Sequence, residues 1–343
     1  MNLKTALSLV KGGRLRLLWN ATSLFTPFYR ISFVASAVSS GLLELLADSP
    51  KSLDQLAVAL APDGQSRPGL EAWLGLGVRL GELAKGPDGY RLAGYLSRKL
   101  ADKANDEVAA LVEEVASFHH RLILETPARL KRRELWRVEE HDGCLIARSS
   151  RIMEPCVFQL IEQAMPPSGA VRLLEVGCGS GSYIRHAAQR NPELRAVGLE
   201  MQPEVADATR KQVASWGMQD RITIDTGDIR ARPADPSFDI VTLYNAIYYF
   251  RSEERVAVFE KLASFLKPGG RLILSTSCQG GSAGMQLLNV WTSSVVGFGP
   301  LPTEAELVEQ LGRAGFRDLS LRRVIPGEAY LAIVATVDPG ARA

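Results

Sequence analysis

Cysteine is scarce in this 343-residue chain. Cys144, Cys156, Cys178 and Cys278 lie far apart with no C-x-x-C pair, which argues against a zinc site and against a disulfide framework. A reducing cytoplasm is the expected compartment. No apolar run reaches the ~18 residues of a membrane span, so no integral membrane segment is expected. The apolar stretch after Lys4 is cut at Lys11-Gly12-Gly13-Arg14 and lacks a small-residue cleavage site, unlike a secretory signal. An excess of one charge is also missing: 40 Lys+Arg face 38 Asp+Glu, and a net charge of +2 gives no field for tracking a nucleic-acid backbone. Internal repeats and low-complexity tracts are absent as well.

What is present is ample core material. Hydrophobic residues make up 46% of the chain and charged ones 23%, which excludes wholesale disorder and, at this length, predicts two domains. One local asymmetry stands out. Residues 1–40 carry Lys4, Lys11, Arg14, Arg16 and Arg30 but no acid, interleaved with Leu15, Leu17, Leu18 and Trp19. This arm reads as a helical dimer or substrate-cap element in preference to a membrane-surface helix.

Apolar spacing predicts one helix from Ile31 to Ala47, stopped by Asp48-Ser49-Pro50. Ser52 with Gln55 forms a capping-box pattern opening a second, Leu53–Ala61. A third follows Arg67-Pro68, and Gly86-Pro87-Asp88-Gly89 then supplies turn chemistry for a hairpin. Three helices and a hairpin are a winged-helix order. DNA reading would need a basic, exposed third helix, whereas Leu70–Ala84 holds Glu71, Arg79 and Glu82 among apolar residues. That face suits burial and a homodimer interface, so no nucleic-acid partner is expected. Residues 102–165 look helical and bridge to the next domain.

After Pro166-Pro167-Ser168-Gly169, short apolar strands alternate with amphipathic helices: Val171–Val176, Arg195–Glu200, Arg221–Asp225, Phe238–Leu243 and Arg271–Thr276. Alternation predicts a parallel sheet wound by right-handed crossovers. A Thr303/Glu306-capped helix to Ala314 and strands Arg317–Val324 and Tyr330–Val337 then add a terminal antiparallel hairpin. The expected class is α/β, a Rossmann-like mostly parallel sheet behind a mainly helical winged-helix-like domain. The expected domains are 1–105, arm and dimerisation; 106–165, helical linker and acceptor cap; and 166–343, ligand binding.

The sharpest motif is Glu175-Val176-Gly177-Cys178-Gly179-Ser180-Gly181, a buried strand ending in an acid and then three alternating glycines opening a helix. Glycine lets a ligand approach the backbone where a Cβ would intrude. Alone it could be merely a tight turn, and its G-x-G-x-G spacing is not the dinucleotide G-x-G-x-x-G. Other polar residues fall at the carboxyl ends of successive strands, where open α/β sheets bind ligands. Glu200 can accept two hydrogen bonds from a ribose diol, and Met201 can lie on an adenine face. Asp228 can accept from an adenine amino group while the Ile229 side of its backbone donates to the ring. Each acid taken separately is more often a solvated strand-end residue.

As an ordered set, E-V-G-C-G-S-G, G-L-E-M, G-D-I and L-K-P-G-G resemble class I S-adenosylmethionine-dependent methyltransferases over residues 166–338. The resemblance implies S-adenosylmethionine as cofactor. By motif position, Glu175, Gly177, Gly179 and Gly181 would hold the methionyl part, with Asn245 near it; Glu200 would hold the ribose and Asp228 the adenine. The upstream half, through Gly41-Leu42-Leu43-Glu44-Leu45-Leu46 and Ser52-Leu53-Asp54-Gln55-Leu56-Ala57, is similar to the dimerising domain of small-molecule O-methyltransferases. Those enzymes usually show a His-Asp pair where this chain has Tyr248-Tyr249.

A phenol with a reference pKa near ~10 is only about 0.1% ionised at neutral pH and makes a poor base. Tyr248 is therefore assigned to positioning. His119 and His120 are candidate substitute bases, although neighbours on a helix diverge by about 100° and at most one can point squarely into a cleft. Tyr249, Trp291 and Phe298 are candidate acceptor contacts. The expected reaction is O-methylation of an acidic hydroxyl, such as a phenol or enol, driven mainly by positioning. N- or C-methylation, a non-catalytic S-adenosylmethionine-binding regulator and a nicotinamide-dependent dehydrogenase are the alternatives.

Overall fold

The computed structural model describes residues 14–338. They divide into two compact units: residues up to Arg121 with Asp142–Ile152, and Leu122–His141 with the chain from Met153 onward. The start of the basic arm, with Lys4 and Lys11, lies outside the described residues.

The first unit is helical. It comprises α1 (Arg14–Ser23), α2 (Phe25–Ser39), α3 (Leu42–Leu45), α4 (Leu53–Leu60) and α5 (Arg67–Arg79), then the antiparallel hairpin β1 (Leu83–Gly86) and β2 (Gly89–Leu92). After it come α6 (Tyr95–Leu100) and α7 (Asp106–Glu114), with α9 (Gly143–Ser149) returning later in the chain. The helix expected over Ile31–Ala47 is two. Gly41 takes φ 76° and ends the first while the apolar spacing runs on across the break. The capping box forms as expected, with Gln55 N–H on Ser52 Oγ and Ser52 N–H on Gln55 Oε1. Phe33, Val34, Leu42, Leu43, Leu56, Leu74 and Tyr90 form the core. Beside it the fully buried Glu82 accepts from Arg30 and from the N–H and hydroxyl of Ser97. A buried carboxylate is tolerable because it is so fully hydrogen-bonded.

The second unit carries α10 (Glu154–Ala164) and then a seven-stranded sheet: β3 (Arg172–Val176), β4 (Arg195–Glu200), β5 (Ile222–Thr226), β6 (Phe238–Tyr244), β7 (Leu266–Ser277), β8 (Phe316–Arg323) and β9 (Tyr330–Val337). Their order across the sheet is β5-β4-β3-β6-β7-β9-β8. The first five are mutually parallel, and β9 runs antiparallel to both neighbours. The terminal hairpin thus joins the sheet through its second strand.

Adjacent strand residues point to opposite faces. Leu173, Ile240 and Ile273 pack with Val157, Leu160 and Ile161 of α10 and with Ile184 of α11 (Ser182–Arg190). Leu174, Val241 and Leu272 pack with Phe259 of α13 (Arg255–Ala263) and Leu307 of α15 (Glu304–Arg313). A sheet covered on both faces explains why its strands read as unbroken apolar runs.

Several strand ends fall a residue away from the sequence reading, and the largest strand shift is at β7. Strand β7 starts at Leu266, paired with Phe238, before the Gly269-Gly270 irregularity; the expected start was Arg271. Among the described residues no helix is long and apolar enough to cross a membrane.

Candidate cofactor and active site

Four loops follow the carboxyl ends of β3, β4, β5 and β6, and backbone bonds tie three of them to a neighbouring strand. Gly177 N–H donates to Leu199 O (2.8 Å), Gly227 N–H to Glu200 O (2.9 Å) and Asn245 N–H to Ser275 O (2.8 Å). The loop after β3 turns through positive φ at Gly177 (70°), Gly179 (49°) and Gly181 (73°). A Cβ on Gly179 would meet nothing within 4 Å, so that side of the loop is open for a ligand.

Glu175 lies beneath this loop, 1% exposed, and its Oε1 has no hydrogen-bond partner. Burial pushes its carboxyl well above the usual carboxylate range. An orphaned buried acceptor is costly and commonly marks a place where a ligand donor completes the site. The surrounding phenols of Tyr183 and Tyr244 stack edge to face at 5.2 Å. Tyr330 donates to Ser275 Oγ (2.9 Å), and burial pushes its phenol up to about 12.

Glu200 accepts Gly179 N–H on Oε2 (3.1 Å) and Gln202 N–H on Oε1 (3.0 Å). One lone pair on each oxygen remains for other donors. Met201 beside it is exposed. Asp228 is engaged differently: the Arg230 side chain holds it with bonds of 2.7–3.1 Å and keeps its carboxyl below the usual range. Ile229 is buried in the core, leaving its backbone as the group near the loop. Asn245 takes φ 51°, a left-handed conformation that asparagine tolerates better than most residues.

Beyond Asn245, a 3₁₀ turn (Ile247–Tyr249) places two rings of opposite character. Tyr248 is buried, which drives its phenol far above the usual tyrosine range, while Tyr249 is 39% exposed. Tyr249 packs against Phe298 (4.9 Å between centroids) and Trp291 (6.3 Å); Trp291 packs against Phe298 (5.5 Å) and His141 (5.3 Å). Trp291 lies on α14 (Ala283–Ser294), whose end is pinned by Trp136 N–H to Ser294 O (2.8 Å).

His119 and His120 belong to the first unit. A π turn, Val115–His119, precedes α8 (His120–Arg132). His119 Nε2 lies 3.3 Å from Glu114, and the His120 ring packs on Phe28. Among the described residues there is no cluster fit for a metal ion.

Sequence reasoning missed three participants: Arg230, His141 and Tyr330. A signal for Arg230 existed, since it stands two residues past Asp228. For the others the partners are distant in sequence.

Residues 173–270 match a family model described as a methyltransferase domain. That stretch of the chain is a methyltransferase domain. The open face of Gly179, the unfilled Glu175 oxygen and the remaining Glu200 lone pairs fit S-adenosylmethionine, the cofactor that the motif resemblance implies. L-tyrosine C(3)-methyltransferase of Streptomyces lavendulae is 29% identical over 177 residues, covering 49% of this chain and 48% of that protein. Demethylspheroidene O-methyltransferase of Rhodobacter capsulatus is 24% identical over 184 residues, 53% of this chain and 44% of that protein. The chain thus spans about half the length of the curated relatives it matches. The solved mitomycin 7-O-methyltransferase MmcR superposes with a TM-score of 0.78 at 20% identity, over 95% of this chain and 100% of that one, a likeness of fold.

Proposed function

We propose that this chain transfers the methyl group of S-adenosylmethionine to a small-molecule acceptor at an acidic hydroxyl, such as a phenol or enol. The observation that carries this reading is the convergence of the glycine loop, Glu200 and Asp228 at the carboxyl ends of three adjacent parallel strands inside the matched domain. In this reading Glu175, Gly177, Gly179, Gly181 and Asn245 hold the methionyl part. Glu200 takes the ribose, and Met201, Asp228 and Ile229 take the adenine. Tyr249 and Trp291 meet the acceptor, and Tyr248 positions it.

Methyl transfer requires an in-line approach of nucleophile to methyl carbon, and holding both partners in that line supplies much of the barrier reduction. An acidic acceptor ionises with little help, which suits a chain whose Tyr248 phenol is too weak an acid to act as a base. One of His119 and His120 is the proposed proton acceptor, and separate alanine variants tell which: the one in use should lose turnover and the other keep it. A carbon acceptor is the second reading, favoured by the relative whose printed activity is C-methylation of tyrosine. An ionised phenol is nucleophilic at oxygen and at its ortho carbons, so one bound acceptor can give either product.

The domain assignment is part of the proposal: 1–105 for arm and winged-helix-like dimerisation, 106–165 for the acceptor cap, 166–343 for catalysis. Leu17, Leu18 and Trp19 are exposed on α1, which has no buried residue, and a homodimer would cover them. Sedimentation velocity of Trp19→Glu should show monomers. Four free thiols suit a cytoplasmic site.

Calorimetric titration with S-adenosylmethionine, S-adenosylhomocysteine and NAD, with Asp228→Ala as control, tests the cofactor site. Binding of the first two, lost in the variant, is expected; binding of NAD alone overturns the reading. Turnover on a panel of phenols, with products resolved by NMR, then separates O- from C-methylation.

A further inference from the structure

We infer that Arg230 sets the affinity of the adenine subsite by competing with the purine for Asp228. The inference rests on the reading of Asp228 as the adenine acceptor.

Asp228 Oδ1 accepts the Arg230 backbone N–H (2.8 Å) and its Nε (3.1 Å); Oδ2 accepts Nε (2.9 Å) and Nη2 (2.7 Å). A carboxylate offers about four lone-pair positions. Arg230 brings three N–H donors to them, the single Nε hydrogen shared between both oxygens, and its guanidinium lies across the Oδ2 side. An adenine amino group therefore gains a strong hold on Asp228 at the expense of the guanidinium's bonds. The backbone bond can stay, because it shapes the turn without occupying the Oδ2 side.

The released guanidinium has another place nearby. Its Nη1 lies 3.8 Å from Glu254 Oε2, and its carbon lies 5.6 Å from the centre of the Phe250 ring. Glu254 is held in turn by Arg251 Nη2 at 2.8 Å. A side chain leaving Asp228 thus keeps a carboxylate and an aromatic face.

The exchange is cheap enough to tune binding without blocking it, since the Arg230 side chain is 49% exposed and that of Asp228 29%. It is also an exchange of unequal kinds. An ion pair is weakened by salt, whereas the hydrogen bond to a neutral amino group is not. Competition therefore predicts that added salt tightens binding of S-adenosylhomocysteine, which carries no net charge. A residue that merely shaped the turn would produce no such effect.

The experiment is calorimetry with S-adenosylhomocysteine on the full chain, comparing the parent, Arg230→Gln, Asp228→Asn and the double variant at low and moderate salt. Arg230→Gln should bind about threefold to tenfold more tightly and lose the salt effect. Asp228→Asn should bind more weakly, and adding Arg230→Gln to it should change little. If Asp228→Asn weakens binding but Arg230→Gln weakens it too or leaves it unaltered, Arg230 does not compete and the inference falls while the Asp228 reading stands. Undiminished affinity in Asp228→Asn overturns the adenine assignment itself, and the inference with it.

Discussion

Gly179 donates its backbone N–H to the Glu200 carboxylate at 3.1 Å, so the glycine loop after β3 and the acid ending β4 form one hydrogen-bonded piece. With Gln202 N–H on the other oxygen, the carboxylate is fixed in orientation before any ligand arrives. A preset acceptor loses less freedom on binding than a mobile one.

Glu200→Ala should weaken S-adenosylmethionine binding by about 2–3 kcal/mol, through lost charge-assisted hydrogen bonds to the ribose. Calorimetry reads this directly. Unchanged affinity would remove the ribose role from Glu200.

The middle and last glycines of the loop should fail in different ways. Gly179→Ala carries the strain of a positive φ, about 1–2 kcal/mol, and puts a methyl group into the open side, so cofactor affinity should fall more than stability. Gly181→Ala carries similar strain and drives its Cβ to 2.9 Å from Thr209 Cγ2, adding roughly 1–3 kcal/mol of overpacking. Parallel thermal melts and titrations of the two variants should show opposite rankings.

Glu175 predicts a pH dependence with a definite sign. Burial raises its pKa in the folded chain, so its contribution to stability is present below the ordinary carboxylate range and is lost as pH climbs through the raised value. Glu175→Gln is neutral throughout and should melt higher than the parent at pH 8, with little difference at pH 4. A constant difference across pH would remove Glu175 as the cause.

Much of this was legible in the sequence, because two-sided burial of a parallel sheet forces strands into uninterrupted apolar runs. Tyr330–Val337 was read with the bounds it takes in the fold. The break at Gly41 was not legible, since helical spacing continues through it and a single left-handed residue leaves no periodic trace. Glu200 could be placed by strand counting. The occupation of Asp228 by Arg230 depends on how the turn folds back. His141 reaches Trp291 across a long stretch of chain, beyond any local pattern.

Tyr248→Phe should leave cofactor affinity intact and lower turnover if its hydroxyl orients the acceptor. Its buried phenol stays protonated across the working range, so the pH profile of turnover should keep the shape of the parent. A changed profile with equal affinity would give that hydroxyl a role in proton transfer.

The placement of β9 between β7 and β8 makes the last strand among the described residues an inner one. A nascent chain that has emerged only as far as Ile325 carries β8 with no neighbour and β7 with an open edge. One strand already made and one edge of the five-stranded parallel part are then waiting on eight residues. Ribosome-stalled chains of increasing length should gain protease resistance in one late step, when Tyr330–Val337 clears the exit tunnel and threads between two strands already made.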